Sequence, residues 1–306
     1  VKSLLTLWFL CSALTAAPPE GYYQSAKGLR GTELREALHD IIDDHTIIKY
    51  SKTREAMALL HEDPRNSKKL IQIYTQRSVA KKDTEKWNRE HLWPRARGNT
   101  DKRGPDDSDL HHLFPSDYDV NAERASLLYD ITSPPRLSSR WSMDNDSFQP
   151  PAKVTGDIAR ALFYMAVRYD GSDRQTSNLT LVSKDFHGAE MGHLKTLIKW
   201  HLADPPDAFE RRRNDLIFEK FQHNRNPFID FPELVSAIWM TTDLEGFAPE
   251  KNNDTLELPC KKSSSSPSSP SSLVVPTEPS ETLEQPKNQP PSSQPQRRSS
   301  PNPSPS

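Results

Sequence analysis

The chain has 306 residues, 34% of them hydrophobic, two cysteines and a formal net charge of -2. That length holds one medium domain with appendages or two small domains, and the low apolar share points to segments that lie outside any core. Near-neutral charge excludes a nucleic-acid binder that is electrostatic along its whole length, although it leaves room for a local basic patch, and two cysteines exclude a disulfide framework.

Residues 1–17 begin with one lysine, continue as a short apolar run and end in small residues before Pro18-Pro19. This pattern predicts a secretory signal peptide removed near Ala17, and the run is too short to span a bilayer. Residues 18–260 carry the globular pattern. Thr32 to Ile42 has apolar residues at helical spacing, with Thr32 as the expected N-cap. The alternation Ile71-Gln72-Ile73-Tyr74 predicts a short strand. Gly, Pro, Asn and Asp cluster between Trp87 and Pro115, which reads as loop with little room for regular elements. Asp157 to Tyr169 reads as a buried helix stopped near Gly171. Further helices are expected over His193 to His201, Asp207 to Phe221 and Pro232 to Met240. From Lys261 to Ser306 more than half the residues are Ser or Pro. Such a segment buries too little apolar surface to offset its ordering entropy, so a disordered tail is expected.

Side chains that can do chemistry concentrate in the loop-rich zone. It starts at Asn88-Arg89-Glu90-His91-Leu92-Trp93-Pro94-Arg95, resumes at Asp109-Leu110-His111-His112-Leu113 and closes at Asn121-Ala122-Glu123-Arg124. Between Lys81 and Pro105 there are eight Lys or Arg against four Asp or Glu. Phosphodiester hydrolysis needs a base to activate water, a cation to neutralise charge and groups that hold the ester in line. His91 suits the base, because imidazole titrates near neutral pH. Glu90 and Asn121 offer hard oxygens suited to Mg²⁺ or Ca²⁺. Arg89, Arg95, Arg97, Arg103 and Arg124 carry the planar fork that grips phosphates.

These three stretches, in this order, resemble the endonuclease I family of bacterial periplasmic and secreted nucleases. Gly156 to Met165 and Asn224-Arg225-Asn226-Pro227-Phe228-Ile229-Asp230 extend the similarity, which covers roughly Tyr50 to Met240. The resemblance implies an α+β fold, mainly helical, around a ββα-metal (His-Me) finger. It implies His91 as general base, with Glu90 and Asn121 holding one divalent ion, usually Mg²⁺, with Mn²⁺ or Ca²⁺ as alternatives. The ion would stabilise the leaving 3′-oxygen and give 5′-phosphate ends on DNA and RNA. An arginine between the base and the Asp-x-His stretch would contact the scissile phosphate; Arg97 and Arg103 both qualify, with Arg103 preferred. Asp109, His111 and His112 match residues that brace the finger. A monomer, secreted or periplasmic and without a membrane span when mature, is expected. Phe114, His223 and Phe231 depart from the family pattern, where a polar or basic residue, a glycine and a histidine are common.

Less specific readings stand beside these. Adjacent histidines in an extended segment point to opposite sides, so His111 and His112 are expected to have separate partners. Arg211-Arg212-Arg213 reads as a solvated helix face, Trp93, Trp200 and Trp239 as core, and Asn224 to Asp230 as a hydrogen-bonded clasp. Two rival functions remain: a catalytically silent nucleic-acid binder using the same cleft, and a cell-surface protein whose Ser/Pro tail is the working part.

Overall fold

The computed structural model describes residues 17–98, 104–133, 140–172, 176–182 and 190–240. Residues 1–16 of the expected signal peptide, the tail, both cysteines and Arg103 lie outside the described residues. Helices α1 (Gly31–Ile42) and α2 (Tyr50–Leu60) precede an antiparallel sheet ordered β1 (Glu62–Asp63), β2 (Asn66–Ile71), β3 (Ser78–Ala80). Strand β4 (Asn88–His91) pairs antiparallel with β5 (Leu113–Ser116), and α3 (Tyr118–Arg124) follows at once. A small mixed sheet joins β6 (Leu128–Tyr129), β7 (Ser142–Met143) and β8 (Ser147–Gln149) in the order β6-β8-β7. The remainder is helical: α4 (Thr155–Arg168), α5 (Leu194–Ala203), α6 (Ala208–Lys220), α7 (Pro227–Asp230) and α8 (Leu234–Trp239). The fold class is α+β.

Helix α4 is the central element. Apolar residues surround it on every side, which suits a helix enclosed by others, and Ile158 through Val167 are buried. Its one charged residue within that stretch, Arg160, is fully buried and pairs with Glu210 at 2.7 and 2.6 Å. A side chain at Gly156 would run into the Asp204 carbonyl oxygen, so glycine lets α4 meet the end of α5. Helix α6 starts where Asp207 accepts from the Glu210 amide at 2.9 Å, an N-cap made by a residue whose carboxylate also favours the positive end of the helix.

Some expectations change. Helix α1 starts one residue early and Arg30, not Thr32, occupies its N-cap position, without a side-chain cap. The strand around Ile71 spans Asn66–Ile71 and ends there. Residues 72–76 turn instead: the Gln76 amide donates to Gln72 O, and Gln76 takes a left-handed φ of 55°. The turn sends Tyr74 inward, where it is fully buried. The loop-rich zone carries a strand at each end, since β4 and β5 need each other for hydrogen bonding and neither shows an alternation alone. Helix α2 was not expected, although its buried Thr53, Ala56, Met57 and Leu60 keep helical spacing. Arg211-Arg212-Arg213 is not a free solvated face. Arg213 is buried with its guanidinium over Phe114, Arg211 donates to Ile229 O, and Arg212 reaches Leu60 O. Trp93 and Trp200 are core, and Trp239 packs on Phe163 and Phe228.

Candidate active site

The β4–β5 pair and α3 surround a cleft of about 320 Å³ lined by Arg89, Glu90, His91, Arg95, Asn121 and Arg124 among others. Six of the residues singled out from sequence thus meet in one place. In β4, cross-strand register sets Glu90 opposite Phe114 and His91 opposite Leu113. Glu90 and His91 are neighbours in a strand, so their side chains leave on opposite faces, and only the enclosing loop and α3 bring both to the cleft.

His91 is held by its Nε2, which lies 3.0 Å from the Asp107 carbonyl oxygen and 3.4 Å from Asp107 Oδ1. Both of those atoms only accept, so Nε2 carries a proton, and Nδ1 is the ring nitrogen turned towards another partner. No described residue donates to that nitrogen. The Tyr50 ring stacks on the imidazole at 5.8 Å and 24°, and His112 meets it edge-on at 5.3 Å. Burial would raise the Asp107 carboxyl, but hydrogen bonds from His91 and Arg95 outweigh it and lower the pKa to about 2.

Glu90 is almost fully buried. Tyr74 donates its hydroxyl to Glu90 Oε1 at 2.6 Å, and because that hydrogen is engaged, Tyr129 must donate to Tyr74 at 2.5 Å. Arg124 Nη1 lies 3.4 Å from the same Oε1. Burial pushes the Glu90 carboxyl up, and Arg124 and Tyr74 offset this only in part. The His91 backbone amide also meets the Glu90 carboxylate and offsets a further part of the burial effect. Asn121, on α3, donates its amide to Asn88 Oδ1 at 2.9 Å. Its carbonyl oxygen is thereby turned away from that partner and left without a donor among the described residues.

The arginines divide by environment. Arg124 is 1% exposed, with its guanidinium donating to His91 O, Leu92 O and Ala125 O, so it fastens β4 to α3 from beneath the cleft. Arg89 donates to Tyr50 O at 2.8 Å and to Thr53 Oγ1 at 3.3 Å, which fixes α2 to β4. Arg95 keeps 30% of its side chain exposed while its Nε donates to Asp107. Arg97 lies further along, donating to Ser126 O.

The bracing residues sit behind the cleft. Asp109 Oδ2 accepts from Tyr164 and Tyr169, each at 2.8 Å, and its Oδ1 accepts from Gln222 and the His111 amide. His111 reaches Asn224 and His112 reaches Asp106 O, so the two rings do have separate partners. Burial lowers the pKa of each imidazole to about 3, which keeps both neutral at physiological pH. Sequence reading missed Tyr50, Tyr74, Asp107 and Tyr129. Asp107 stood in the acidic run Asp106-Asp107-Ser108-Asp109, but nothing local marked which carboxylate would reach His91. Among the described residues no group of three or more His, Cys, Asp or Glu side chains converges as a metal site, and no helix is long and apolar enough to cross a membrane.

Comparison with known proteins places the chain in a family. The family model for Endonuclease I matches residues 30–233. The chain is 43% identical over 232 residues to an extracellular ribonuclease of Bacillus amyloliquefaciens, covering 73% of this chain and 80% of that one. It is 40% identical to an extracellular ribonuclease of Bacillus subtilis (strain 168), covering 78% and 84%. An extracellular deoxyribonuclease of Aeromonas hydrophila is 32% identical over 139 residues, covering 44% and 54%. A match over most of the described fold, running through every element of the cleft, means that the chain belongs to the endonuclease I family and is a nuclease.

Proposed function

We propose that the protein is a secreted or periplasmic, divalent-metal-dependent endonuclease that hydrolyses RNA and DNA without strong sequence preference and leaves 5′-phosphate ends. One observation carries the reading. His91 Nδ1 and Asn121 Oδ1 have no donor among the described residues, and both side chains line one cleft with the buried Glu90 carboxylate. Open acceptors beside a buried carboxylate in one cleft favour an external partner held by them jointly.

The donor set fits a hard cation. One carboxylate oxygen and one amide oxygen, completed by water, form the small protein ligand set that Mg²⁺ commonly uses, and Mn²⁺ or Ca²⁺ accept the same oxygens. When bound there, such an ion supplies charge neutralisation at the phosphate and at the leaving 3′-oxygen. His91 takes the proton of the attacking water on Nδ1, while Asp107 holds Nε2–H and so fixes the tautomer. Tyr74 and Arg124 hold Glu90 Oε1, and Asn88 turns the Asn121 oxygen outward. Arg95, whose side chain is partly exposed and is spent on no backbone carbonyl, grips substrate phosphate; Arg89 and Arg124 keep β4 in place. Arg97 and Arg103 stay as the two candidates for the scissile phosphate, with Arg103 preferred on family resemblance. Strand β4, strand β5 and α3 are read here as the ββα-metal (His-Me) finger. The grip is on backbone rather than base edges, which gives low sequence preference. The relatives named as ribonucleases span most of the chain, which supports RNA as a substrate beside DNA. The protein acts as a monomer.

The test is digestion of an RNA oligonucleotide and of plasmid DNA with Mg²⁺, with EDTA and with His91→Ala. Mg²⁺-dependent cutting that drops at least 100-fold in His91→Ala, within the usual range for a lost general base, is expected. Cutting that survives EDTA, or a variant at the wild-type rate, overturns the assignment.

A further inference from the structure

We propose that Tyr50 is a positioning residue that aligns the phosphate-gripping Arg95 with the base His91. The proposal rests on the reading of those two residues given above. Three groups of the cleft meet the one Tyr50 ring. The Arg89 guanidinium carbon lies 3.8 Å from its centroid, the Arg95 carbon 4.4 Å, and the His91 imidazole 5.8 Å in a stacked arrangement. An aromatic face attracts guanidinium groups through its quadrupole, and the attraction grows when the pair is partly desolvated.

The arrangement has a fixed side and an adjustable side. Arg89 stands over the Tyr50 ring and also donates to the Tyr50 carbonyl and to Thr53 Oγ1, so the first turn of α2 is bolted to β4. Arg95 follows Pro94 in the loop after β4 and belongs to no helix or strand, so its long side chain has no regular backbone to orient it. Its Nε bonds Asp107, the same residue that holds His91 Nε2. Tyr50 and Asp107 thus bracket Arg95 and His91 together, and a phosphate docked on Arg95 is presented at a set position to His91 Nδ1. Pre-ordering a guanidinium removes the entropy cost of fixing it when substrate binds.

The variants are Tyr50→Leu, Tyr50→Met, which keeps bulk without a π face, and Tyr50→Phe, which keeps the ring. Each is checked for native near-UV circular dichroism. Steady-state cleavage of an RNA oligonucleotide is followed with Mg²⁺, and binding of the same oligonucleotide with EDTA across a salt series. Tyr50→Leu and Tyr50→Met are expected to lower kcat/KM about tenfold, mostly through KM, while Tyr50→Phe, which keeps the ring but loses the hydroxyl that bonds Arg95, loses less. The salt dependence of binding in Tyr50→Leu should flatten towards that of Arg95→Ala. In an Arg95→Ala background, Tyr50→Leu should cost less than about twofold, because the ring acts through that arginine. Folded Tyr50→Leu and Tyr50→Met proteins at wild-type kcat/KM overturn the proposal. So does a tenfold loss that persists without Arg95. Full-rate cutting in EDTA would strike the catalytic reading instead, and the Tyr50–Arg95 coupling in binding would still decide this proposal by itself.

Discussion

Two stretches of this molecule are equally dense in polar side chains and do opposite work. In Asn224–Asp230 the polar atoms close on one another. Arg225 makes a bidentate pair with Asp230 at 2.7 and 2.7 Å and reaches Asp215 at 2.7 Å. Asn226 caps the Phe228 amide with its oxygen and donates to Arg160 O with its nitrogen. Asn224 donates to Ile42 O and Tyr164, and its oxygen faces His111 and Gln222. In Asn88–Arg124 the same kinds of contact stop short, leaving His91 Nδ1 and the Asn121 carbonyl oxygen without a donor among the described residues. Polar density therefore marks neither a site nor a clasp. What separates them is whether hydrogen-bonding capacity remains once the chain has folded.

That contrast can be broken by experiment. The largest effect is expected for Arg225→Ala, which strands two carboxylates in a buried place. It should destabilise by about 3–5 kcal/mol and lower Tm by about 10 °C, seen by thermal melting. Activity per folded molecule should stay at wild type, and a folded variant without activity would join the clasp to the site. Asn121→Ala should do the reverse, losing about 100-fold in kcat with Tm within about 2 °C. A large Tm drop without kinetic loss would make Asn121 structural.

Smaller effects sharpen the comparison. The folded pKa of Asp107, about 2, lies below the ordinary aspartate value. The carboxylate therefore stabilises the fold above about pH 4, and that contribution disappears as pH falls towards about 2. Asp107→Asn should flatten this acid limb in melting curves taken between those pH values, and an unchanged limb would assign the acid sensitivity elsewhere. The smallest effect is at His223, where the backbone takes a φ of 63°. This is the departure from a family glycine, and it has a physical content, because the left-handed region strains a side chain. His223→Gly should stabilise by less than about 1 kcal/mol in chemical denaturation. A clear loss would show that the His223 contact with Phe218 O outweighs the strain.

Much of the framework was legible beforehand, for reasons that can be named. Helix α5 keeps apolar residues at helical spacing and α4 is apolar nearly throughout, which packing rewards wherever the helix lies. Helix α2 kept the same spacing at Thr53, Ala56, Met57 and Leu60 but was hidden among Lys49, Lys52 and Arg54. Strands β4 and β5 were not legible, because Asn-Arg-Glu-His has no strand propensity and forms one only by pairing across twenty-odd residues of loop. Arg89 and Arg124 look interchangeable with Arg95 in sequence, yet the fold turns the first two towards protein carbonyls and sets the third against Asp107 and Tyr50.

By itself the sequence determined which chemical capacities this protein has: an imidazole, a carboxylate, an amide and several guanidiniums in a stretch whose order matches a nuclease family. The tertiary structure alone decided which atoms of those groups stay open. Tyr74 comes from a turn, Tyr129 from β6, Asp107 from a short 3-10 helix (Pro105–Ser108) and Tyr50 from the start of α2, and each engages one side of a cleft residue. Hydrogen bonds act over about 3 Å, so partners far apart in sequence can be assigned only after the chain has brought them together.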